Sequence, residues 1–423
     1  MARFSIKPFI IFFDITYMDE CVVLFPGEEK IEIKKPEPML SVSSDDDSIN
    51  EKYIQGQVRI VTEQARYPLD TICKMVDTGR YILRPEFQRR HRWNREKQSR
   101  LIESFIMNVP IPPIFLYEKD YACYEVMDGL QRLTAIIEFY KNLYALEGLE
   151  FWPELNGKRY SELPKAIKQG IDRRHLSSII LLNETASSVE EANRLKQLVF
   201  SRINSGGAKL EYQESRNALF GGPFNSTAIK LSRNDKFCLL FDIPQRTDDE
   251  DLDRDIISPE LSENAMFRQM ADVEMIVRFF SMRFIDSFEG ITLREFMDQF
   301  TAQANALPQT VLDSYCLLFD ETIGLVFDVY GSAAFCLWKY HERTREWRRG
   351  QTPAKILYDP LMYVTSQFVS YADCLRANAA EIRLKTDEMI KSHISDFNGR
   401  KSSKNDIKKR IELFQGLFSD YVQ

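Results

Sequence analysis

A β-strand that turns directly into an amphipathic helix is encoded between residues 124 and 140, in the sequence YEVMDGLQRLTAIIEFY. The preceding run IFLYE and the run CYEVMD alternate around a polar turn, which predicts a pair of strands. Behind the Asp-Gly pair, Leu133, Ile136, Ile137 and Tyr140 recur at the spacing of one helix face. The sequence therefore predicts that a strand and a helix meet at residues 128–129.

The start of a helix that follows a strand carries backbone N–H groups without intrahelical partners, and these favour a bound anion such as phosphate. Gly129 permits a tight turn and a close approach to a ligand. Gln131 and Arg132 lie off the apolar stripe, and an arginine can bind phosphate through two hydrogen bonds. Asp128 suits a metal ligand, a water-orienting group or a helix cap. A capped helix without further function also fits these residues.

Composition limits the class of protein. The chain has 423 residues, which predicts two or three domains, and its net charge of 56 − 63 = −7 argues against a nucleic-acid binder along its whole length. Its seven cysteines are scattered, as in a reduced cytoplasmic protein. The apolar run at residues 8–13 is too short for a signal peptide or a membrane span, so no membrane partner is expected.

A basic stretch at residues 80–100 holds eight Lys or Arg and only two Glu. Within it, Gln88 and Arg89 supply hydrogen-bond donors, and Trp93 supplies a ring for stacking. Arg90 and Arg92 add charge for a nucleic-acid backbone. The stretch suits a nucleotide or a nucleic acid, and a solvated basic loop is the alternative.

Local signals divide the rest of the chain. Residues 31–51 are polar and rich in Pro, Ser and Asp, which predicts a linker or mobile arm. Residues 69–75 predict a short helix that Gly79 ends, and Asn94 is placed to cap another helix. The acidic residues 248–255 predict a surface loop or domain junction. From Glu263 onward, helical patterns dominate, and we expect an all-helical C-terminal half.

Three ordered motifs in residues 68–222 resemble the N-terminal module of GmrSD-type restriction proteins. The first is a P-x-[YF]-Q-R element, formed here by Pro85, Phe87, Gln88 and Arg89. The second is a D-G-x-Q-R-L element, formed by Asp128, Gly129, Gln131, Arg132 and Leu133. The third is an F-x-R-[LI]-N-x-G-G element with a following E-x-R-N-A run, formed by Phe200, Arg202, Ile203, Asn204, Gly206, Gly207, Glu214, Arg216, Asn217 and Ala218.

The resemblance implies a ParB/sulfiredoxin-like fold that binds and hydrolyses a nucleoside triphosphate, coupled to defence against foreign DNA. By position, Asp128 and Arg132 would be catalytic: Asp128 would position water or a Mg²⁺ ion, and Arg132 would stabilise charge on the transferring phosphoryl group. The residues implied in nucleotide binding are Gln88, Arg89, Gly129, Gln131, Arg202 and Asn204. Leu130 stands where the family usually has Gln.

The resemblance does not extend to a C-terminal nuclease domain. Relatives that cut DNA often carry a His-Asn-His-type domain, which needs clustered metal ligands and a His base. This chain has four His residues, and around His393 the sequence HISDFNGRKSSKND offers a single His. We therefore do not expect nuclease activity in this chain.

The resulting prediction is an α+β protein: an extension and linker over residues 1–53, the ParB/sulfiredoxin-like module with a small sheet and helices over 54–245, and a mainly α-helical domain over 246–423. Three functions fit it. The first is nucleoside triphosphatase activity in a restriction or anti-phage system. The second is binding of DNA or nucleotide without hydrolysis, next to a separate effector. The third is assembly, for example as a homodimer, with the motifs serving only to pack.

Overall fold

The computed structural model describes residues 22–35, 45–54, 60–83, 93–182, 195–196, 198–200, 202–203, 212–252, 257–341, 343–397 and 402–422. These residues form an N-terminal part built on a sheet and a C-terminal part built mainly from helices. The predicted α+β class is therefore confirmed. No helix in the described ranges combines the length and the apolar character that crossing a bilayer requires.

One five-stranded mixed sheet organises the N-terminal part. Its strands are β1 (Thr62–Pro68), β2 (Tyr81–Ile82), β3 (Ile114–Asp120), β4 (Cys123–Asp128) and β5 (His175–Leu181). Their order across the sheet is β1-β5-β3-β4-β2. The β3–β4 pair is the antiparallel hairpin that the alternating runs predicted. Because β5 pairs in parallel with β3 and antiparallel with β1, it joins the hairpin to the start of the module.

Helices cover one face of this sheet. The helices of the N-terminal part are α1 (Asp46–Ile54), α2 (Leu69–Asp77), α3 (Arg95–Met107), α4 (Leu130–Tyr140), α5 (Lys165–Asp172) and α6 (Tyr212–Leu219). Apolar residues of α2, α3 and α4 form one buried cluster with the sheet, including Ile72, Ile102 and Ile136. Asn94 caps α3, as predicted, because its side chain accepts a hydrogen bond from the Lys97 N–H at 3.0 Å.

The C-terminal part is a body of packed helices with one hairpin. Its helices are α7 (Pro223–Leu231), α8 (Asp235–Phe241), α9 (Pro259–Glu263), α10 (Ala265–Arg268), α11 (Ala271–Met282), α12 (Leu293–Ala304), α13 (Gln309–Tyr330), α14 (Lys355–Gln367), α15 (Ala372–Ala377), α16 (Ala379–Ser392) and α17 (Lys404–Ser419). Strands β6 (Cys336–His341) and β7 (Glu346–Pro353) interrupt them as an antiparallel pair. The expectation of an all-helical C-terminal half is wrong at this hairpin.

Part of the predicted acidic surface loop is buried. Glu250 is 7% exposed, and its two carboxylate oxygens accept hydrogen bonds from Arg233 at 2.8 Å each. Arg233 also donates to the Pro244 carbonyl oxygen. A run of acidic residues is usually solvated, but here one member is needed as the partner of a buried arginine. The prediction of a surface loop is therefore wrong for Glu250.

Residues 22–35 lie against the C-terminal helices. Glu28 is fully buried, and its carboxylate accepts hydrogen bonds from Arg283 Nε at 2.9 Å, from Arg283 Nη2 at 2.7 Å and from the Tyr315 hydroxyl at 2.6 Å. Burial and the adjacent Glu28 carboxylate raise the pKa of Tyr315, which keeps its hydroxyl protonated. Ile31 joins the same helical core. The linker expected from residue 31 onward therefore begins as packed structure.

Replacing Glu28 with Gln should lower the free energy of unfolding of the C-terminal body by about 3 kcal/mol, because Arg283 then stays buried without an opposite charge. Urea unfolding followed by circular dichroism measures this loss. Glu29→Gln is the matched control, since Glu29 is exposed and accepts a hydrogen bond from the Gly27 backbone N–H rather than from a buried cation. Equal unfolding midpoints for the two variants would contradict the structural role of Glu28.

Candidate functional site

The turn between β4 and α4 requires glycine at position 129. Gly129 has φ +95° and ψ +10°, a left-handed conformation, and it precedes the first residue of α4. A Cβ built on it would overlap Ile114 Cγ2 at the start of β3 and lie 3.2 Å from Arg132 Nη2. The glycine therefore serves both the turn and the close packing of β3 against it, while the ligand approach at this position stays a prediction.

Among the described residues, no side chain caps the N-terminus of α4. The first backbone bond of the helix runs from the Leu133 N–H to the Gly129 carbonyl oxygen at 3.0 Å. The N–H groups of the preceding turn therefore have no intrahelical acceptor, and together with the helix dipole they favour an anion. Asp128 does not cap α4, and the two other roles considered for it, metal ligand and water-orienting group, stay predictions.

Asp128 and Arg132 bind each other. Arg132 Nη2 donates to Asp128 Oδ2 at 2.7 Å, and the side chains are 12% exposed for Arg132 and 37% for Asp128. Arg132 Nη1 donates to the carbonyl oxygens of Pro112 and Pro113, the latter at 3.2 Å. Burial lowers the pKa of Arg132, and the Asp128 carboxylate opposes that effect. The predicted catalytic pair is thus together, with the arginine held inside and the carboxylate facing solvent.

Gln131 contacts the basic stretch at Trp93. Its side-chain oxygen accepts a hydrogen bond from the Trp93 backbone N–H at 3.1 Å. The Trp93 ring lies 4.9 Å from the Lys97 ammonium nitrogen, within the range of a cation–π contact. The basic stretch therefore contacts the first turn of α4 through the backbone of Trp93. Four predicted residues of that stretch lie outside the described residues: Gln88, Arg89, Arg90 and Arg92.

The third motif reaches the same strand from the other face of the sheet. Phe200 is 4% exposed and belongs to a buried cluster with Met127, the residue before Asp128, and with Leu181. On the same face Lys196 Nζ lies 2.7 Å from Glu125 Oε2, and both side chains are nearly buried. Arg202 is exposed two residues after Phe200, while Asn204 lies outside the described residues.

Helix α6, which carries the E-x-R-N-A run, contacts the C-terminal body. Arg216 is 1% exposed and donates through Nε to Asp298 Oδ1 in α12 at 2.7 Å. Gln213 accepts from Arg216 Nη1 and donates to Asn217 Oδ1 at 2.8 Å. These residues hold the module to the helical body, a role that spacing within the motif did not reveal.

Sequence reasoning also missed residues that shape the site. Pro112 and Pro113 belong to none of the motifs, yet their carbonyl oxygens hold Arg132. The proline pair before β3 gave no signal of this contact, because proline has the same carbonyl acceptor as every other residue. The partner of that acceptor lies about twenty residues later and could not be read from the sequence.

These observations define the N-terminal part as a mixed sheet that presents an uncapped helix start beside an Asp–Arg pair. Residues 69–221 match the family model described as GmrSD restriction endonuclease, N-terminal domain. The predicted resemblance is thereby confirmed: the chain contains a GmrSD N-terminal domain, which indicates a protein of a restriction system. Neither the curated proteins nor the solved structures include a match to the chain.

Replacing Gly129 with Ala should lower the free energy of unfolding by about 3 kcal/mol, from left-handed strain and from overlap with Ile114. The control is Gly157→Ala. Gly157 has φ +83° and nothing within 4 Å of its added Cβ, so only the strain of about 1 kcal/mol applies. Urea unfolding of both variants separates the two terms, and equal losses would show that the contact with Ile114 does not restrict residue 129.

Proposed function

We propose that the chain binds a nucleoside triphosphate with its phosphates at the N-terminus of α4 and hydrolyses it, as part of a restriction system directed against foreign DNA. The observation that carries this proposal is the convergence at one turn of an uncapped helix start, a half-exposed Asp128 and the Gln131–Trp93 contact. Free N–H groups, a carboxylate and an adjacent basic stretch are the groups that phosphoryl transfer uses.

In this proposal Arg132 exchanges Asp128 for a phosphate oxygen when the nucleotide binds. Arg132 Nη1 is held by two proline carbonyls, so the guanidinium keeps its place when Nη2 leaves Asp128 for a phosphate oxygen. Asp128 is then available to orient the attacking water. In this role Arg132 would stabilise the charge of the phosphoryl group, an interaction typically worth a factor of about 10² to 10³ in rate.

A Mg²⁺ ion fits this site only together with a nucleotide. No group of three or more His, Cys, Asp or Glu side chains that could hold a metal is found among the described residues. Asp128 offers one carboxylate, and Mg²⁺ is commonly bound by one or two carboxylates with substrate phosphates and water completing its shell. When bound, the ion would neutralise phosphate charge, and Asp128 would be the residue that holds it.

The remaining site residues are assigned by the family motifs. Gln88, Arg89 and Gln131 would bind or orient the nucleotide, and Arg202 and Asn204 would line the site. Support for their proximity comes from two contacts, because Trp93 reaches Gln131 and Phe200 packs with Met127. The Trp93 ring, with Arg90 and Arg92 before it in sequence, remains a candidate contact for nucleic acid.

Binding without hydrolysis is the second candidate, and one observation favours it. Asp128 and Arg132 neutralise each other at 2.7 Å, as a structural ion pair would. In that case the α4 N-terminus would still hold phosphate, and the protein would act as a specificity subunit beside a separate effector or as a homodimer.

Phosphate release from the four common ribonucleoside triphosphates with Mg²⁺ distinguishes these candidates. We expect turnover by the unmodified chain and a loss of about 10²-fold or more in Asp128→Asn, which keeps an oxygen acceptor for Arg132. Asp120→Asn is the control, because Asp120 ends β3 at the opposite end of the β3–β4 hairpin. Circular dichroism and the melting temperature check that each variant folds.

The outcomes separate clearly when nucleotide binding is measured alongside turnover. Binding without turnover in the unmodified chain would favour the second candidate. Neither binding nor turnover, with and without added DNA, would overturn the assignment of this turn as a phosphate site.

A further inference from the structure

The β6–β7 hairpin concentrates positive charge in an acidic chain. Its residues 336–353, CLWKYHERTREWRRGQTP, contain five Lys or Arg and two Glu, for a net charge of 5 − 2 = +3, whereas the whole chain carries −7. Four aromatic or imidazole side chains alternate with these cations. A cluster of basic residues on one element is typical of a nucleic-acid contact.

The pairing register sorts the hairpin into two faces. Trp338 lies opposite Arg349 and Tyr340 opposite Trp347, so these four side chains share one face. The alternate pairs, Lys339 opposite Arg348 and His341 opposite Glu346, lie on the other face because side chains alternate along a strand. We call this second face, together with the tip residues Arg343 and Arg345, the basic face.

The first face fixes the hairpin to the helical body. Trp338 Nε1 donates to Asp387 Oδ1 of α16 at 2.8 Å, and the Lys391 ammonium nitrogen lies 4.0 Å from the Trp338 ring centroid. Arg349 Nη2 donates to the Ala333 carbonyl oxygen at 3.0 Å. The Tyr340 and Trp347 rings pack with their centroids 5.4 Å apart. The hairpin is thus held as a defined ribbon at its base.

The basic face is exposed and electrostatically unfavourable by itself. Lys339, Arg343, Arg345 and Arg348 are all exposed. Like charges directly opposite each other on an antiparallel pair destabilise the sheet, as Lys339 and Arg348 do here. Glu346 pairs with Arg348 at 3.1 Å, but both side chains are about 60% exposed, and such a surface pair contributes little. A polyanionic partner would turn this repulsion into attraction.

We propose that the basic face binds the phosphate backbone of duplex DNA, with the β6–β7 ribbon lying in or along the major groove. The major groove of B-form DNA is wide enough for a two-stranded ribbon, whereas the major groove of double-stranded RNA is too narrow for side chains to enter. The inference is independent of a nucleotide site at Asp128, because it uses a different element of the C-terminal part.

Fluorescence anisotropy with a labelled 30-base-pair DNA duplex over a range of salt concentrations tests the proposal. The variant Lys339→Gln, Arg345→Gln, Arg348→Gln removes three charges from the basic face. We expect its affinity to fall about tenfold or more at low salt, and the slope of log affinity against log salt to decrease by roughly 0.9 for each lost phosphate contact, so by about 3.

The matched control removes three charges elsewhere on the C-terminal helices, through Arg294→Gln, Arg376→Gln and Lys408→Gln. Each of these residues lies within ion-pair distance of an aspartate of the chain. The control should keep the salt slope of the unmodified protein. The melting temperature of the hairpin variant should be unchanged or higher, since it relieves the Lys339–Arg348 repulsion.

Equal DNA affinity of the hairpin variant and the unmodified chain would overturn the proposal, as would equal losses in the hairpin and control variants. Absence of salt-dependent DNA binding by the unmodified chain, or tighter binding of double-stranded RNA than of DNA, would overturn it as well. Triphosphate binding and turnover without DNA, measured on the same variants, should not change. Failure of the nucleotide proposal would therefore appear separately from failure of this one.

Discussion

The guanidinium of Arg132 is the contact on which the geometry of the N-terminal site depends. Through Nη1 it holds the carbonyl oxygens that precede β3, and through Nη2 it holds the carboxylate at the end of β4. Because Arg132 itself belongs to the first turn of α4, one side chain fixes two strands and a helix relative to each other. Gly129 allows this convergence, since any Cβ at that position would overlap β3.

Buried arginine–carboxylate pairs recur in the C-terminal body. Arg233 binds Glu250, Arg278 binds Asp359, and Arg283 binds Glu28, each through Nε and Nη2. Forming such a pair gains little over well-packed apolar residues, but removing one partner leaves an uncompensated charge in the core. The pairs therefore disfavour alternative packings of an aromatic-rich interior. The Arg283–Glu28 pair also fixes residues 22–35 to a helix far away in the sequence.

Features with a local cause could be predicted from the sequence. Three such features are the apolar stripe of Leu133 and Ile137, the Asn94 cap and the β3–β4 hairpin. Each depends on residues that lie close together in the sequence. Strand β1 was not predicted, because it is a largely exposed edge strand whose sequence, TEQARYP, shows little alternation of apolar residues. Its place in the sheet is determined by pairing with residues more than a hundred positions away.

Contacts between distant segments explain the remaining differences. The β6–β7 hairpin is rich in arginine and has few apolar residues, so neither a helical nor a strand period was visible, and its docking depends on Asp387 and Lys391 of a later helix. In the candidate site, the motifs gave Asp128, Gly129 and Arg132. They did not give the proline carbonyls that hold the arginine, since an acceptor on the backbone leaves no trace in side-chain identity.

Helix α6 belongs to the family domain by sequence and to the helical body by burial. Arg216 is enclosed by Asp298 and Gln213, and Arg294 of α12 lies 4.2 Å from the Tyr212 ring centroid. A domain joined in this way depends on the helical body for part of its stability. A helical body joined near residue 221 without an acidic residue at the place of Asp298 would leave Arg216 buried without its carboxylate, and the fused protein would lose stability.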